Sequence, residues 1–160
     1  MVFFLRRIAF ESLFTLIVLA SATGCGRRSE TNSPADLPFA YVLRDCGPAD
    51  GEALTFYFTQ KQSQSEKYEE PFVEISINEN LPRSAPLDYS VESGKYAILA
   101  SRCRIPGRCD TATSGTLHLD TFRPGKGATG VYELHFGDGS IEKGAFDATW
   151  AVPKQPLLCG

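Results

Sequence analysis

The class this sequence predicts is all-β, a single antiparallel sandwich or small barrel of about seven to eight strands. Three observations predict it. From Pro38 onward, short runs alternate apolar and polar residues with the period of two that strands require. Turn signals recur between those runs at regular spacing, and no stretch sustains a helical period with caps at both ends.

The runs can be taken in order. "FAYVL" at 39–43 is the first expected strand. "ALTFYFT" at 53–59 points Leu54, Phe56 and Phe58 one way and Thr55, Tyr57 and Thr59 the other. "KQSQSEKYEE" at 61–70 is then a polar excursion between strands. "FVEISI" at 72–77 puts Val73, Ile75 and Ile77 on one face. "NENLPRSAPLD" at 78–88 contains two prolines and reads as an irregular connection. "KYAILAS" at 95–101 is a buried strand, and "GTLHLDTF" at 115–122 alternates Leu117, Leu119 and Thr121 against His118 and Asp120. "RPGKGATG" at 123–130 reads as a glycine-rich turn, followed by strands at 131–136 and 144–150.

The last two strands carry an internal register test. Gly137-Asp138-Gly139 is a hairpin signal, because Asp-Gly supplies the positive φ angles of tight turns. If Phe136 pairs with Ser140, Tyr132 falls opposite Gly144. Tyr132, Leu134 and Phe136 then share a face with Gly144, Phe146, Ala148 and Trp150. Pairing Phe136 with Ile141 instead sends Phe146 and Trp150 to the other face, so the three-residue loop is expected. It leaves Glu142 on the buried side near the turn, within reach of solvent.

The N-terminal residues have a different character. Arg6 and Arg7 precede an apolar run, "LFTLIVLASA" at 13–22, that is closed by small residues. This is the layout of an export signal, expected over 1–24. The run is shorter than the roughly 20 residues a membrane-spanning helix needs, and Glu11 prevents its extension. Residues 26–37, "GRRSETNSPADL", are polar with a central proline and form a flexible tether. The β domain is expected over 38–160.

Charge excludes one class of partner. Of 16 basic and 19 acidic residues, Arg6, Arg7 and Glu11 lie in the export segment; without it the balance is 14 to 18, a net charge of −4. The basic residues are scattered, so no nucleic-acid partner is expected.

The chain has five cysteines, Cys25, Cys46, Cys103, Cys109 and Cys159. Four of them, in an oxidising compartment, can form two bridges. Cys103 and Cys109 enclose "RIPGR", whose Pro106-Gly107 pair turns the chain. This favours Cys103–Cys109 with Cys46–Cys159; crossed pairing such as Cys46–Cys103 with Cys109–Cys159 stays open. Chain entropy assigns about 2.4 kcal/mol to the small loop and about 4.8 kcal/mol to the large one.

The search for chemistry returns no catalytic set. His118 and His135 lie at outward strand positions, and His135 is expected to face Glu142 across the hairpin; with a carboxylate the two histidines could form a zinc site, but metal-ligand spacing is missing. No G-x-S-x-G is present, and Ser114 in "ATSGT" opens a strand rather than a strained strand-to-helix turn. Glu69-Glu70 reads as solvated charge, and "RPGKGATG" lacks the ending of a phosphate-cradling loop. No cofactor is expected. Binding residues are expected on the loops, at 60–71 and 78–90, for a protein or glycan ligand.

Two cuts are possible in "LASATGC" at 19–25. Ala20-Ser21-Ala22 suits an ordinary signal peptidase, which would release a soluble periplasmic or secreted protein. Ala22-Thr23-Gly24-Cys25 resembles the lipobox of bacterial lipoproteins, with alanine where that pattern prefers leucine. The resemblance implies cleavage before Cys25, lipidation (palmitate) on Cys25 and a membrane anchor. Cysteine parity favours this cut, since the odd cysteine is then used. Gly26 after the cysteine, rather than aspartate, resembles the outer-membrane-destined class. "GVYELHFGDGSIEKGAFDATW" at 130–150 resembles a hairpin of uncharacterised β-rich envelope lipoproteins, which implies class and location but no activity. A further likeness is to membrane-bound lysozyme inhibitors. Ser93-Gly94-Lys95-Tyr96 is one residue short of their recognition motif, and their second motif is absent. The expectation is therefore a lipid-anchored cell-envelope protein, a non-enzymatic binding or structural module. The alternatives are an inhibitor of a cell-wall hydrolase such as lysozyme, a soluble secreted β protein, or a metal-dependent hydrolase.

Overall fold

Among the described residues, eight strands follow one another without a helix: β1 (Phe39–Cys46), β2 (Glu52–Thr59), β3 (Phe72–Ile77), β4 (Leu87–Ser90), β5 (Leu99–Ile105), β6 (Arg108–Arg123), β7 (Gly127–Phe136) and β8 (Ile141–Trp150). The computed structural model describes residues 37–47, 51–63, 68–78, 81–92, 97–152 and 159. The export segment, Cys25, the tether to residue 36 and Ser93–Tyr96 lie outside the described residues.

Seven of the strands close into a barrel in the order β6-β5-β3-β2-β1-β8-β7, with β7 returning to β6, while β4 adds to the edge of β6. Neighbours are antiparallel except at one seam. There β1 and β8 run parallel, with Tyr41 opposite Thr149 and Val42 opposite Trp150. The reason is geometric: an odd number of strands cannot alternate direction all the way round a ring. Closure also decides between the two expected architectures in favour of the barrel, and leaves few free edges.

The interior is filled by side chains. Val42, Phe56, Ile75, Ile77, Leu117, Leu119 and Leu134 are fully buried. Phe146 meets Phe56 and Phe58 edge-to-face at 5.7 and 5.3 Å, and Phe58 lies 4.5 Å from Tyr132. Such offset aromatic geometries add to the burial of the rings. The barrel is thus a packed core.

The β7–β8 hairpin has the expected register. The Phe136 amide donates to the Ser140 carbonyl at 3.0 Å, Tyr132 lies opposite Gly144 and Leu134 opposite Glu142. Gly139 supplies the positive φ, at 81°. Glu142, however, is 2% exposed and does not reach solvent.

Four other expectations need correction. Residues 87 and 88, read as the end of an irregular connection, instead open β4 (Leu87–Ser90). The strand expected at 95–101 is shifted to 99–105, with Leu99 exposed. The turn after Arg123 is short, and residues 127–130 already belong to β7. Gly130 is there for close approach rather than turning, since a Cβ would lie 2.0 Å from the His118 carbonyl oxygen. Finally, Thr121 points out and Phe122 points in, because the β6–β7 register shifts between Leu119 and Thr121. One extra residue at a bulge reverses the alternation beyond it.

Both bridges, Cys46–Cys159 and Cys103–Cys109, are formed. Cys103 faces Cys109 across the β5–β6 hairpin, which turns at Pro106-Gly107.

Candidate functional site: the two ends of the barrel

Strand directions sort the side chains into two barrel ends of opposite character. One end gathers the start of β1, the β5–β6 turn and the β7–β8 turn; the other gathers the end of β1, the start of β2, the β6–β7 turn and the end of β8.

The first end is plugged by charge. Inward positions of β5 alternate as Ala100, Arg102 and Arg104. Arg102 is 1% exposed, and its guanidinium lies 3.9 Å from the centre of the Phe136 ring. Its Nη2 donates to Asp138 at 2.8 Å and to Asp110 at 3.4 Å, and its Nη1 donates to the Ser140 hydroxyl and lies 3.6 Å from Glu142. Arg104 Nη2 donates to Glu142 at 3.2 Å. Asp138 accepts from both the hydroxyl and the amide of Ser140. Those two bonds, with Arg102 behind them, hold its carboxyl at a pKa of about 2. A cavity of only about 70 Å³ remains between Leu37, Gln60, Phe72 and the two arginines. Arg102 has carboxylate or hydroxyl partners on both terminal nitrogens, so the cluster ties β5, β6 and β8 together and closes this end.

Among the described residues, the second end is open. A concavity of about 880 Å³ lies in the mouth of the barrel, within the usual size range of small-molecule sites. Its apolar surface is Leu54, Leu81, Leu87, Phe122 and Trp150, with Pro82, Pro86 and Pro124 at the margin. Phe122 and Trp150 pack at 6.3 Å. Arg44, Glu52, Arg83 and Ser84 supply the polar groups. Each element arrives for a physical reason. The bulge in β6 turns Phe122 inward, and the β1–β8 seam sets Trp150 beside Val42. Pairing of Leu87 with Leu119 brings the 81–87 segment over the mouth.

That segment is held by a four-residue edge strand with a histidine latch. His118 Nδ1 lies 2.6 Å from Asp88 Oδ1 across the β4–β6 pair, and Nε2 lies 3.3 Å from Asp120. On the β7 side the opposed residue is the uncharged Val131. The hydrogen bond to Asp88, with both carboxylates close by, raises the His118 pKa. A raised folded-state pKa means that this contribution is present while the imidazole is protonated and is lost as pH rises through the folded pKa. We therefore expect the Val91 amide, which donates to Gly115 at the end of β4, to exchange more slowly relative to its intrinsic rate at about pH 5.5 than at about pH 9. The replacement His118→Gln should abolish the difference, as read by hydrogen exchange.

The sequence-expected sites fall unevenly on this frame. The 78–90 loop contributes to the mouth through residues 81–87, while residues 79–80 lie outside the described set. The described residues of the 60–71 loop lie on the outer wall instead: Tyr68 stacks on Tyr57 at 4.1 Å, the Ser63 amide donates to the Tyr41 hydroxyl at 3.0 Å, and the buried Thr59 hydroxyl donates to the Lys61 carbonyl at 2.8 Å. His135 bonds Glu133 at 3.0 Å and pairs across the hairpin with Ile141, so Glu142 does not face it. His118 sits opposite Val131, four residues from His135 along β7, and the two histidines are not brought together. No group of three or more metal-ligating side chains occurs among the described residues. Lipidation at Cys25 and the Ser93–Tyr96 motif fall outside them.

Sequence reasoning missed Arg102, Arg104 and Phe122. A signal for the arginines existed, because a glutamate forced inward at 142 demands a cationic partner and Arg102 and Arg104 share strand parity with Ala100. Phe122 had none, since a bulge leaves no mark in an alternation pattern. Compared with known proteins, the chain matches no family model, no curated protein and no solved structure.

Proposed function

We propose that this chain is a lipid-anchored cell-envelope protein whose barrel is a binding module, and that its ligand enters at the open end. The observation that carries the reading is the mouth itself: about 880 Å³ of concave space with an aromatic and aliphatic floor and a few charged groups at its rim, above a packed core. The anchor is supported by cysteine use. Cys46, Cys103, Cys109 and Cys159 are consumed in two bridges, as suits an oxidising compartment, and of the five cysteines only Cys25 stands outside them.

Trp150 is the single tryptophan and lines the mouth, so it reports on occupancy directly. Titration with the neutral apolar dye N-phenyl-1-naphthylamine should quench Trp150 emission with a dissociation constant in the micromolar range. Leu87→Asp should weaken binding about tenfold, by losing the burial of one leucine. Trp150 emission unmoved by the dye would refute the binding site. For the anchor, the mature protein should begin at Cys25 and carry acyl mass, as read by intact mass spectrometry without reduction. A mature N-terminus at Thr23 with unmodified Cys25 would overturn it.

A further inference from the structure

We propose that the occupant of the mouth is a single-chain amphiphile with an anionic head, a carboxylate or phosphate on an aliphatic tail. The inference rests on the binding reading above and names its ligand class.

The tail follows from one side of the mouth. Leu81, Leu87 and Trp150 are partly exposed there, with Leu54 and Phe122 buried behind them, an apolar side for one aliphatic chain beneath a polar rim. Below it, Phe56, Phe146 and their neighbours fill the barrel, so the chain lies in the mouth and does not thread the core. The same packing disfavours a two-chain lipid, which needs a deeper cavity.

The head follows from the rim. Its charged side chains are Arg44, Glu52 and Arg83, two cations to one anion, in a chain whose net charge is −3. Glu52 is already engaged by Arg44, at 3.8 Å. Arg83 is exposed and makes no ion pair or hydrogen bond among the described residues. A guanidinium of this kind matches the fork of a carboxylate or phosphate, and Ser84 beside it adds a hydroxyl donor. A cationic amphiphile would have to compete with Arg44 for Glu52 and would meet Arg83 as a like charge. A neutral one would leave Arg83 unanswered.

The experiment is displacement of N-phenyl-1-naphthylamine from the full mature protein, read through Trp150. The competitors are laurate, dodecyl phosphate, neutral dodecyl maltoside, dodecyltrimethylammonium and inorganic phosphate, each chain-bearing one below its micelle threshold. Laurate or dodecyl phosphate should displace the dye at about one tenth the concentration dodecyl maltoside needs. The comparison of those two also distinguishes the carboxylate from the phosphate head. Arg83→Glu should remove that advantage, and inorganic phosphate alone should displace nothing. Equal potency of the neutral and anionic chains, an advantage for the cationic chain, displacement by phosphate alone, or an advantage that survives Arg83→Glu would each overturn the assignment while leaving the mouth a binding site. Failure of the dye to bind would remove the underlying reading as well.

Discussion

Replacing Arg102 with leucine should destabilise the domain by about 3–5 kcal/mol, the usual cost of leaving one member of a buried ion pair behind. The effect is expected to be large because of what remains. Glu142 is 2% exposed and would keep only Arg104, at 3.2 Å, and the Phe136 ring would lose the cation above it. Adding Glu142→Leu to the same chain should recover part of the loss, since it removes the buried carboxylate that Arg102 leaves behind, while Arg104 gives up its bond to Glu142. Urea unfolding of the two single variants and the double variant measures this as a thermodynamic cycle. Additive losses would show that the two side chains act independently, against the plug described above.

The second large effect is expected at Cys46–Cys159. This bridge spans 113 residues, and its removal should cost about 4.8 kcal/mol by the chain-entropy relation, against about 2.4 kcal/mol for Cys103–Cys109, which spans 6. The position of the long bridge adds a structural reason. It fastens the last described cysteine to the end of β1 at the open end, whereas Cys103–Cys109 joins neighbours already paired across a hairpin. Thermal unfolding of the Cys46→Ala/Cys159→Ala and Cys103→Ala/Cys109→Ala proteins should show the larger drop in the first. The reverse order would mean that the hairpin at the plugged end limits stability.

Much of the fold was legible in the residues. Val73, Ile75 and Ile77 alternate and are buried, and the Phe136–Ser140 loop could be chosen over its rival because only one register keeps Phe146 and Trp150 with Tyr132. Other parts were not. β4 is four residues long, follows prolines, and is held by the side of β6 rather than by its own pattern. The parallel seam between β1 and β8 is a consequence of counting strands round a closed ring, which no local stretch encodes.

The candidate site shows the same division. Trp150 was expected to face inward from its parity with Phe146, and it does reach the mouth. Phe122 joins it only because β6 bulges before Thr121. Of the two loops expected to bind, 78–90 contributes through residues 81–87, while the described residues of the 60–71 loop engage Tyr57 and Thr59 on the outer wall. Composition alone does not distinguish a loop that opens on solvent from one that folds back on the sheet.

The measurement that bears most directly on the open end as the binding site is a backbone amide NMR titration of the mature protein with N-phenyl-1-naphthylamine. The structure predicts shifts concentrated at Arg44, Glu52–Leu54, residues 81–87, Phe122 and Trp150, with the amides around Arg102 and Glu142 unmoved. Shifts centred instead on Tyr41, Tyr57 and Tyr68 of the outer wall, or none at all, would contradict it.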